Sequence, residues 1–337
     1  MLFPGISLAC LEAAAAAVGA RVMVEPEYRY AGMVLFADGQ RQLFNLHQFT
    51  VNDAGAVGIA NDKGYTAFFL RELGFAAPRN RVFFSDAMCR RFGTDRDVEQ
   101  GARFARALGY PVMVKPNSGS RGLLVAKVDS EEMFRDAFAR IVATPELAGQ
   151  VLVEALCPGN DFRVVVIGDE VFAAYQRLAP AITGDGEQTV ARLVAGLQDG
   201  LRVVGRHVAV DLAADARVGQ ALAQQGLSWD SVLERGREVA LLFARNLSLG
   251  GGIRDCTDDV HADYARLARD AARAMGLDVC GVDILAQDIT APAGPHTVLE
   301  LNAAPGIKHY AALRGDAQAV ITRYYRRILE WVRDRRG

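Results

Sequence analysis

Most of the signatures that settle a protein's class at a glance are missing from this sequence. Its five cysteines, Cys10, Cys89, Cys157, Cys256 and Cys280, lie far apart and form no C-x-x-C pair. That argues against a structural zinc site and for a reducing compartment. Neither G-x-x-x-x-G-K-[ST] nor G-x-G-x-x-G occurs, which excludes the two common glycine-loop nucleotide motifs. No run approaches the ~20 apolar residues needed to cross a bilayer. An excess of one charge is missing too: 38 basic against 40 acidic residues leave a net −2, which gives no electrostatic reason to expect nucleic acid. There is no internal repeat and no low-complexity linker.

What is present is the composition of a soluble globular enzyme. Hydrophobic residues make up 51% and charged residues 23%, which argues against disorder, and 337 residues suffice for two or three lobes with real cores. The stretch "ISLACLEAAAAAVGA" is apolar enough to suggest a secretory signal. No Lys or Arg precedes it, however, and Glu12 interrupts it, so it reads as an alanine-rich amphipathic helix and the protein as cytoplasmic.

Strand and helix signals then alternate. "RVMVEP" reads as a strand, and "GMVLFADGQRQLFNL" as two strands around an Asp38-Gly39 turn. "NDKGYTAFFLRELGFAAP" is a helix capped by Asn61 or Asp62 and ended by Gly74 and Pro78, and "DVEQGARFARALGYP" is a second helix leading into the strand "VMVKP". "LLVAKV" and "VLVEAL" are strands flanking a helix over 130–143, and "DFRVVVIGDEVFAAYQRL" gives two strands around Gly168-Asp169. Residues 183–236 are more polar and helical, as an inserted segment would be. The glycine-rich "NLSLGGGIRD", a helix over 261–275, the strands "GVDILAQD" and "HTVLELN" and a basic helix from 312 follow. The pattern predicts an α+β fold with mostly antiparallel sheets.

Three places carry chemistry. In "VLELNAAPG", strand alternation puts Glu300 and Asn302 on one face and Leu299 and Leu301 on the other. With Asp283 of "GVDIL" they supply two carboxylates and an amide oxygen, hard donors suited to Mg²⁺, although acids satisfied within a sheet fit the pattern equally well. Lys115 ends an apolar strand before "PNSGSRG", a loop whose backbone N–H groups can close over phosphates or simply turn a hairpin. In "VLVEALCPGNDFRV", Glu154 and Asp161 flank either a plain strand connection or a hinge that meets a nucleotide base, with Asp161 accepting from a ribose hydroxyl.

In series, these segments resemble the ATP-grasp superfamily of carboxylate–amine ligases, and in particular the ATP-grasp part of cyanophycin synthetases and of fused glutathione synthetases. "IANDKGYTAFFLRELGFAAPR", "DFRVVVIGDEVFAAYQRLAPAITGDGEQTVARLV", "NLSLGGGIRDCTDDVH" and "ELNAAPGIKHY" carry the resemblance, in the family's order, over roughly residues 55–312. The resemblance implies two α+β lobes whose antiparallel sheets grip ATP. A short N-terminal α/β segment (1–60) would precede an ATP-grasp domain (61–337). Within that domain it implies a small lobe near 100–155, a large lobe over 156–315 holding the insertion, and a C-terminal helix from 316.

It further implies ATP and two Mg²⁺ (or Mn²⁺) ions as cofactors. Lys63, Lys115 and the loop residues Ser118, Gly119, Ser120 and Gly122 would bind phosphates. Glu154, Ala155, Leu156 and Cys157 would form the adenine hinge, Asp161 would bind ribose, and Asp283, Glu300 and Asn302 would hold metal. Arg177 would lie near the transferring phosphate, with Asn246, Gly250, Gly251, Arg254 and Lys308 around the substrates. Small amino acid or peptide substrates and a homo-oligomer are the implied partners. The expected reaction is ADP-forming amide synthesis through an acyl phosphate. A small-molecule kinase and a non-catalytic nucleotide-binding module are the rival readings. Against the resemblance, neither a Mur-ligase-like domain nor most of the usual N-terminal lobe is expected within these residues, and Ile253, Arg254 and Cys256 depart from the family pattern.

Overall fold

A computed structural model describes residues 7–119, 122–203, 211–245 and 247–335. Along the chain, helix α1 (Leu8–Ala17) precedes strands β1 (Ala20–Val24), β2 (Ala31–Phe36), β3 (Arg41–Asn45) and β4 (Gln48–Phe49). Then come α2 (Ala54–Ala60), α3 (Lys63–Glu72), β5 (Asn80–Phe84), α4 (Asp86–Phe92), α5 (Val98–Leu108), β6 (Val112–Pro116), β7 (Ala126–Val128), α6 (Glu131–Val142) and β8 (Gln150–Ala155). The middle holds β9 (Asn160–Ile167), β10 (Glu170–Leu178), β11 (Ala181–Thr183), α7 (Val190–Val203), α8 (Ala216–Gln224), β12 (Glu238–Ala240) and β13 (Gly252–Asp255). The chain closes with α9 (Ala262–Ala274), β14 (Val279–Ala286), β15 (His296–Asn302), α10 (Lys308–Leu313) and α11 (Ala317–Asp334). Among the described residues, no helix is long and apolar enough to cross a membrane.

These elements form two compact units, each built from separate stretches of chain. The first takes residues up to Ala77, Pro158–Gln176 and Asp255 onward; the second takes Pro78–Cys157 and Arg177–Arg254.

In the first unit, β1 to β4 form an antiparallel sheet, turned at Asp38-Gly39, where Gly39 has φ 87° and Asp38 Oδ1 accepts from Gln40 N. Helix α1 buries Cys10, Leu11, Ala14 and Ala15 and packs on α11. Strands β10, β9, β14 and β15 lie side by side in that order. Helix α9 covers them with Tyr264, Ala268, Ala271 and Ala272, and α3 adds Leu70, around a core that includes Phe162, Val164, Val282, Val298 and Leu301. Burying each large apolar side chain here contributes roughly 1.5–3 kcal/mol. The turn after β9 needs a glycine: Gly168 has φ 55°, and a Cβ there would lie 2.3 Å from the Trp331 ring.

In the second unit, β5-β8-β6-β7 form an antiparallel sheet with α5 and α6 packed on one face. Val112, Val114, Val151 and Val153 meet Phe134, Phe138 and Ile141 there. Gly101 lets α5 approach: a Cβ would meet the Phe134 ring at 2.9 Å and the Phe83 ring at 3.3 Å. The inserted segment has its own core, with Val190 and Val194 of α7, Val218 and Leu222 of α8, and Val239 of β12.

Candidate active site

In the first unit, register sets out a row of charge. Arg163 of β9 is opposite Asp283 of β14, which is opposite Glu300 of β15. Asp283 is fully buried, and Arg163 meets it side-on, Nε donating to Oδ1 at 2.6 Å and Nη2 to Oδ2 at 2.8 Å. Burial by itself would lower the Arg163 pKa, but the Asp283 carboxylate outweighs it and holds the guanidinium firmly protonated. Gly281 makes the approach possible, since a Cβ there would lie 3.2 Å from Arg163 Cδ and 3.1 Å from Pro305. Glu300 has Lys63 Nζ at 3.9 Å and Arg163 Nη2 at 4.0 Å. Two cations thus flank two carboxylates.

Strict alternation does not hold in β15. The pairing shifts between Asp283 and Ile284, so that Ile284 is opposite Val298 and Leu299 is an extra residue. Val298 and Leu301, three positions apart, are buried, whereas Leu299 is only half-buried and does not share the inner side of Leu301 as expected. The bulge re-aims the strand immediately before Glu300, a common use of bulges beside functional residues. Asn302 Oδ1 accepts from Ala304 N at 3.0 Å, shaping the turn that follows. That turn is pinned from outside: Tyr324 donates to Pro305 O, and the Asn52 amide donates to Val279 O at 2.8 Å and Ala303 O at 2.9 Å while accepting from Asp278 N and Val279 N. Asp161, nearly buried, lies two residues before Arg163 on the same face of β9, and Lys308 opens α10 in an exposed position.

Two carboxylates and an amide oxygen are chemically suited to a hard divalent cation, and by donor type these residues fit a magnesium site, with both Asp283 oxygens engaged by Arg163 in this structure. Cys280, nearby, is no ligand for it: burial first, then the Asp283 charge, push its thiol up to about 12.

In the second unit, Lys115 of β6 is directly opposite Leu152 of β8 and diagonal to Glu154. Lys115 Nζ donates to Glu154 Oε1 at 2.7 Å, both side chains being more than nine-tenths buried. The Glu154 side chain is thus held by Lys115. Ala155 N donates to Arg79 O at 2.9 Å, which ties the start of this segment to the strand beside it. Cys157, partly exposed, directs its Sγ toward Ala155 O. Arg177 is 5% exposed, unlike a solvated strand arginine, and Arg254 is exposed on β13.

Ser118 and Gly119 are exposed and Gly122 is buried, with φ 108° at Gly119 and 68° at Gly122. Gly250, at φ 91°, turns the chain where a Cβ would crowd Leu201, and Gly251 beside it is buried. Ser120 and Asn246 lie outside the described residues.

Sequence reading overlooked three residues that position these groups. Arg163 had a signal, its two-residue spacing from Asp161 on a strand. Asn52 had none. Nor did Arg217, which Asp215 grips through Nε at 3.0 Å while its Nη1 donates to Gly122 O at 3.0 Å.

The family described as D-ala D-ala ligase C-terminus matches residues 84–183, and the RimK-like ATP-grasp domain matches residues 235–324. Cyanophycin synthetase of Geminocystis herdmanii is 30% identical over 269 residues, which is 77% of this chain and 29% of that protein. The glutathione biosynthesis bifunctional protein of Mannheimia succiniciproducens is 33% identical over 258 residues, 73% of this chain and 32% of that protein. This chain therefore spans less than a third of the length of these relatives. The crystal structure of a bifunctional glutathione synthetase from Pasteurella multocida superposes with a TM-score of 0.52 at 27% identity, covering 88% of this chain and 40% of that one. With its antiparallel α+β units, its carboxylate row and these matches, the chain belongs to the ATP-grasp superfamily.

Proposed function

We propose that this protein is an ADP-forming ligase that joins the carboxylate of an amino acid or short peptide to an amine. The observation that carries the reading is the row Arg163–Asp283–Glu300 with Asn302 beside it, a hard-oxygen set flanked by cations on the faces of three adjacent strands. The ligase and synthetase names of the matching family and relatives support amide formation as the outcome.

In this reading the substrate carboxylate attacks the γ-phosphorus of ATP, the bond from that phosphorus to the β,γ-bridging oxygen breaks, and an acyl phosphate and ADP result. The amine then adds to the acyl carbon and phosphate leaves. The first step drives an anion toward a polyanion. Two unit charges at ~4 Å in an effective dielectric of ~20 repel by about 4 kcal/mol, worth about three decades in rate. Lys115 and Arg177 lower that barrier by meeting the charge as it develops on the phosphoryl oxygens. Asp283, Glu300 and Asn302 would hold a pair of divalent ions, whose chemistry when bound is charge neutralisation on the triphosphate. Arg163 orients Asp283 through its two hydrogen bonds, and Lys63 places a positive charge near Glu300.

The Leu156–Cys157 backbone receives the adenine and Asp161 the ribose. Ser118, Gly119 and Gly122, together with Ser120, cover the phosphates and exclude water that would hydrolyse the acyl phosphate. Gly250, Gly251, Arg254 and Lys308, with Asn246, hold the acceptor.

The test is a pairwise matrix of amino acids and short peptides assayed for ADP release, with hydroxylamine as trap. A hydroxamate supports the ligase, whereas ADP release accompanied by a phosphorylated alcohol and no hydroxamate would replace it with a kinase.

A further inference from the structure

The antiparallel sheet β1–β4 has two faces of different character. Its inner face carries Val34, Phe36, Phe44 and Phe49, all buried, with the Phe49 ring 5.9 Å from that of Tyr325 on α11. Its outer face is open: Met23 is 50% and Leu43 51% exposed, with Met33 and Leu35 half-buried between them. Register sets this outer face out in three rows across β1, β2 and β3. Arg21, Leu35 and Arg41 form the first row, and Met23, Met33 and Leu43 the second. Glu25, whose N–H donates to Ala31 O, forms the third with Ala31 and Asn45.

The rows are polarised. At one end Arg21 and Arg41 stand on either side of Leu35, and among the described residues neither has a carboxylate partner. At the other end the Glu25 carboxylate is fixed by the turn after β1. Its Oε1 accepts from Glu27 N at 2.6 Å, and its Oε2 from Tyr28 N at 2.8 Å and Arg29 N at 3.1 Å. A carboxylate has about four acceptor positions, so one remains for a guanidinium. The apolar row lies between these ends, and an apolar sheet face open to water marks an association surface.

Such a face is complementary to itself when turned end for end. A two-fold axis along the Met23–Met33–Leu43 row lays β1 of one protomer antiparallel over β1 of its partner. Arg21 then meets Glu25, Leu35 meets Ala31 and Arg41 meets Asn45, each contact occurring twice. Cation stands on anion, and large side chain on small. An axis along the strands would instead set the arginine row on itself, so charge selects the antiparallel arrangement. The ends match as well. A concavity of about 430 Å³, lined by Gly19, Leu35, Ala37 and Gly39, opens between Arg21 and Arg41. The axis brings to it the partner's 25–30 turn, whose Tyr28 is 63% exposed and whose ring can lie against the guanidinium groups. Four strands ~4.8 Å apart and five residues at a ~3.4 Å rise give about 300 Å² of flat face. Side-chain relief and the seated turn raise this to about 600 Å² per protomer, the level at which stable interfaces begin.

We infer that the outer face of β1, β2 and β3 docks a second copy of this chain about a two-fold axis, with strands antiparallel across the interface and Arg21 of each protomer on Glu25 of its partner. The family resemblance implies a homo-oligomer without saying which surface joins it, and the three rows supply that surface. The pairing is independent of the ligase reading, because none of the site residues lies on this sheet.

The test is sedimentation equilibrium of the full chain over a range of concentrations, with circular dichroism as the control for folding. Wild type should form a dimer. Leu43→Glu, at an exposed position on the axis, sets two acids face to face and should raise the dissociation constant at least about tenfold. Arg21→Glu sets an acid on Glu25, Glu25→Lys sets a cation on Arg21, and each should weaken self-association as much. Mixed together, these two variants should pair with nearly wild-type affinity, since both contacts between positions 21 and 25 are then opposite in charge. Asn45→Glu, exposed and facing Arg41 across the axis, should tighten the dimer, a gain that does not depend on Glu25→Lys keeping its turn. A wild type that stays monomeric would overturn the pairing, as would a dimer indifferent to Leu43→Glu and Arg21→Glu. Folded variants that stay apart on mixing, with no gain from Asn45→Glu, would overturn it too.

Discussion

Replacing Arg163 by methionine puts the charge row to a quantitative test. Asp283 is fully buried and Arg163 only 14% exposed, so the variant leaves a carboxylate in the core without its side-on partner. Removing one member of a buried pair costs about 3–5 kcal/mol, because the remaining charge stays desolvated. For a folding unit of this size, ~2–4 °C per kcal/mol places the expected drop at about 6–20 °C in Tm. The two tryptophans make the measurement local, since Trp331 packs on Gly168 in the first unit and Trp229 belongs to the core of the inserted segment. In a Trp229→Phe background, Trp331 fluorescence follows the unit that holds the row. Arg163→Met with Asp283→Leu should regain most of the loss, because the pair is then replaced by apolar groups rather than broken. Added Mg²⁺ should raise the Tm of Arg163→Met more than that of wild type, since a divalent ion supplies the missing positive charge. A single variant within ~0.5 kcal/mol of wild type, the scatter of ordinary surface substitutions, would show that Asp283 does not depend on Arg163.

Other expectations are simpler. Glu300→Ala should abolish ADP formation while circular dichroism stays that of the wild type; continued turnover would remove Glu300 from the reaction. Arg177→Ala should lower kcat far more than ATP affinity, and equal losses in steady-state and equilibrium measurements would reduce Arg177 to a binding residue. Thiol alkylation followed by mass spectrometry at mildly alkaline pH should modify Cys157 and spare Cys280, whose pKa near 12 and burial leave almost no thiolate. ATP should slow the labelling of Cys157 but not of Cys89, and equal rates would remove Cys157 from the hinge. Gly168→Ala should lower stability by about 1–3 kcal/mol in a urea titration, since the φ of 55° and the Trp331 ring both oppose a Cβ.

Much of this fold was legible because its strands and turns carry local signals. Asp38-Gly39 and Gly168-Asp169 turn the chain where the hairpins were expected, and Asp62 caps α3 by accepting from Tyr65 N. Helix α2 escaped notice because "AGAVGIA" has two glycines and no periodic apolar face. Strand β5 begins two residues after Pro78, and its five residues were too few to stand out. "LLVAKV" shrank to Ala126–Val128, since Leu124, at φ 51°, belongs to a turn. "NLSLGGGIRD" was read as loop, yet Gly252–Asp255 form a strand. Around the site, the acids and lysines are visible as residue types, but their partners depend on register. That Arg163 faces Asp283, and that Glu154 is held by Lys115, follows only once neighbouring strands are aligned.

The extra residue in β15 makes that strand a counting device. Val298 faces in before it and Leu301 after it, so Glu300 and Asn302 look outward because Leu299 stands outside the pairing. Deleting position 299 would leave an evenly paired strand that still presents the acid and the amide on the same side. Pressing Leu299 into the ladder, by contrast, would turn both toward the hydrocarbon interior, so what the bulge supplies is local slack and twist beside Glu300.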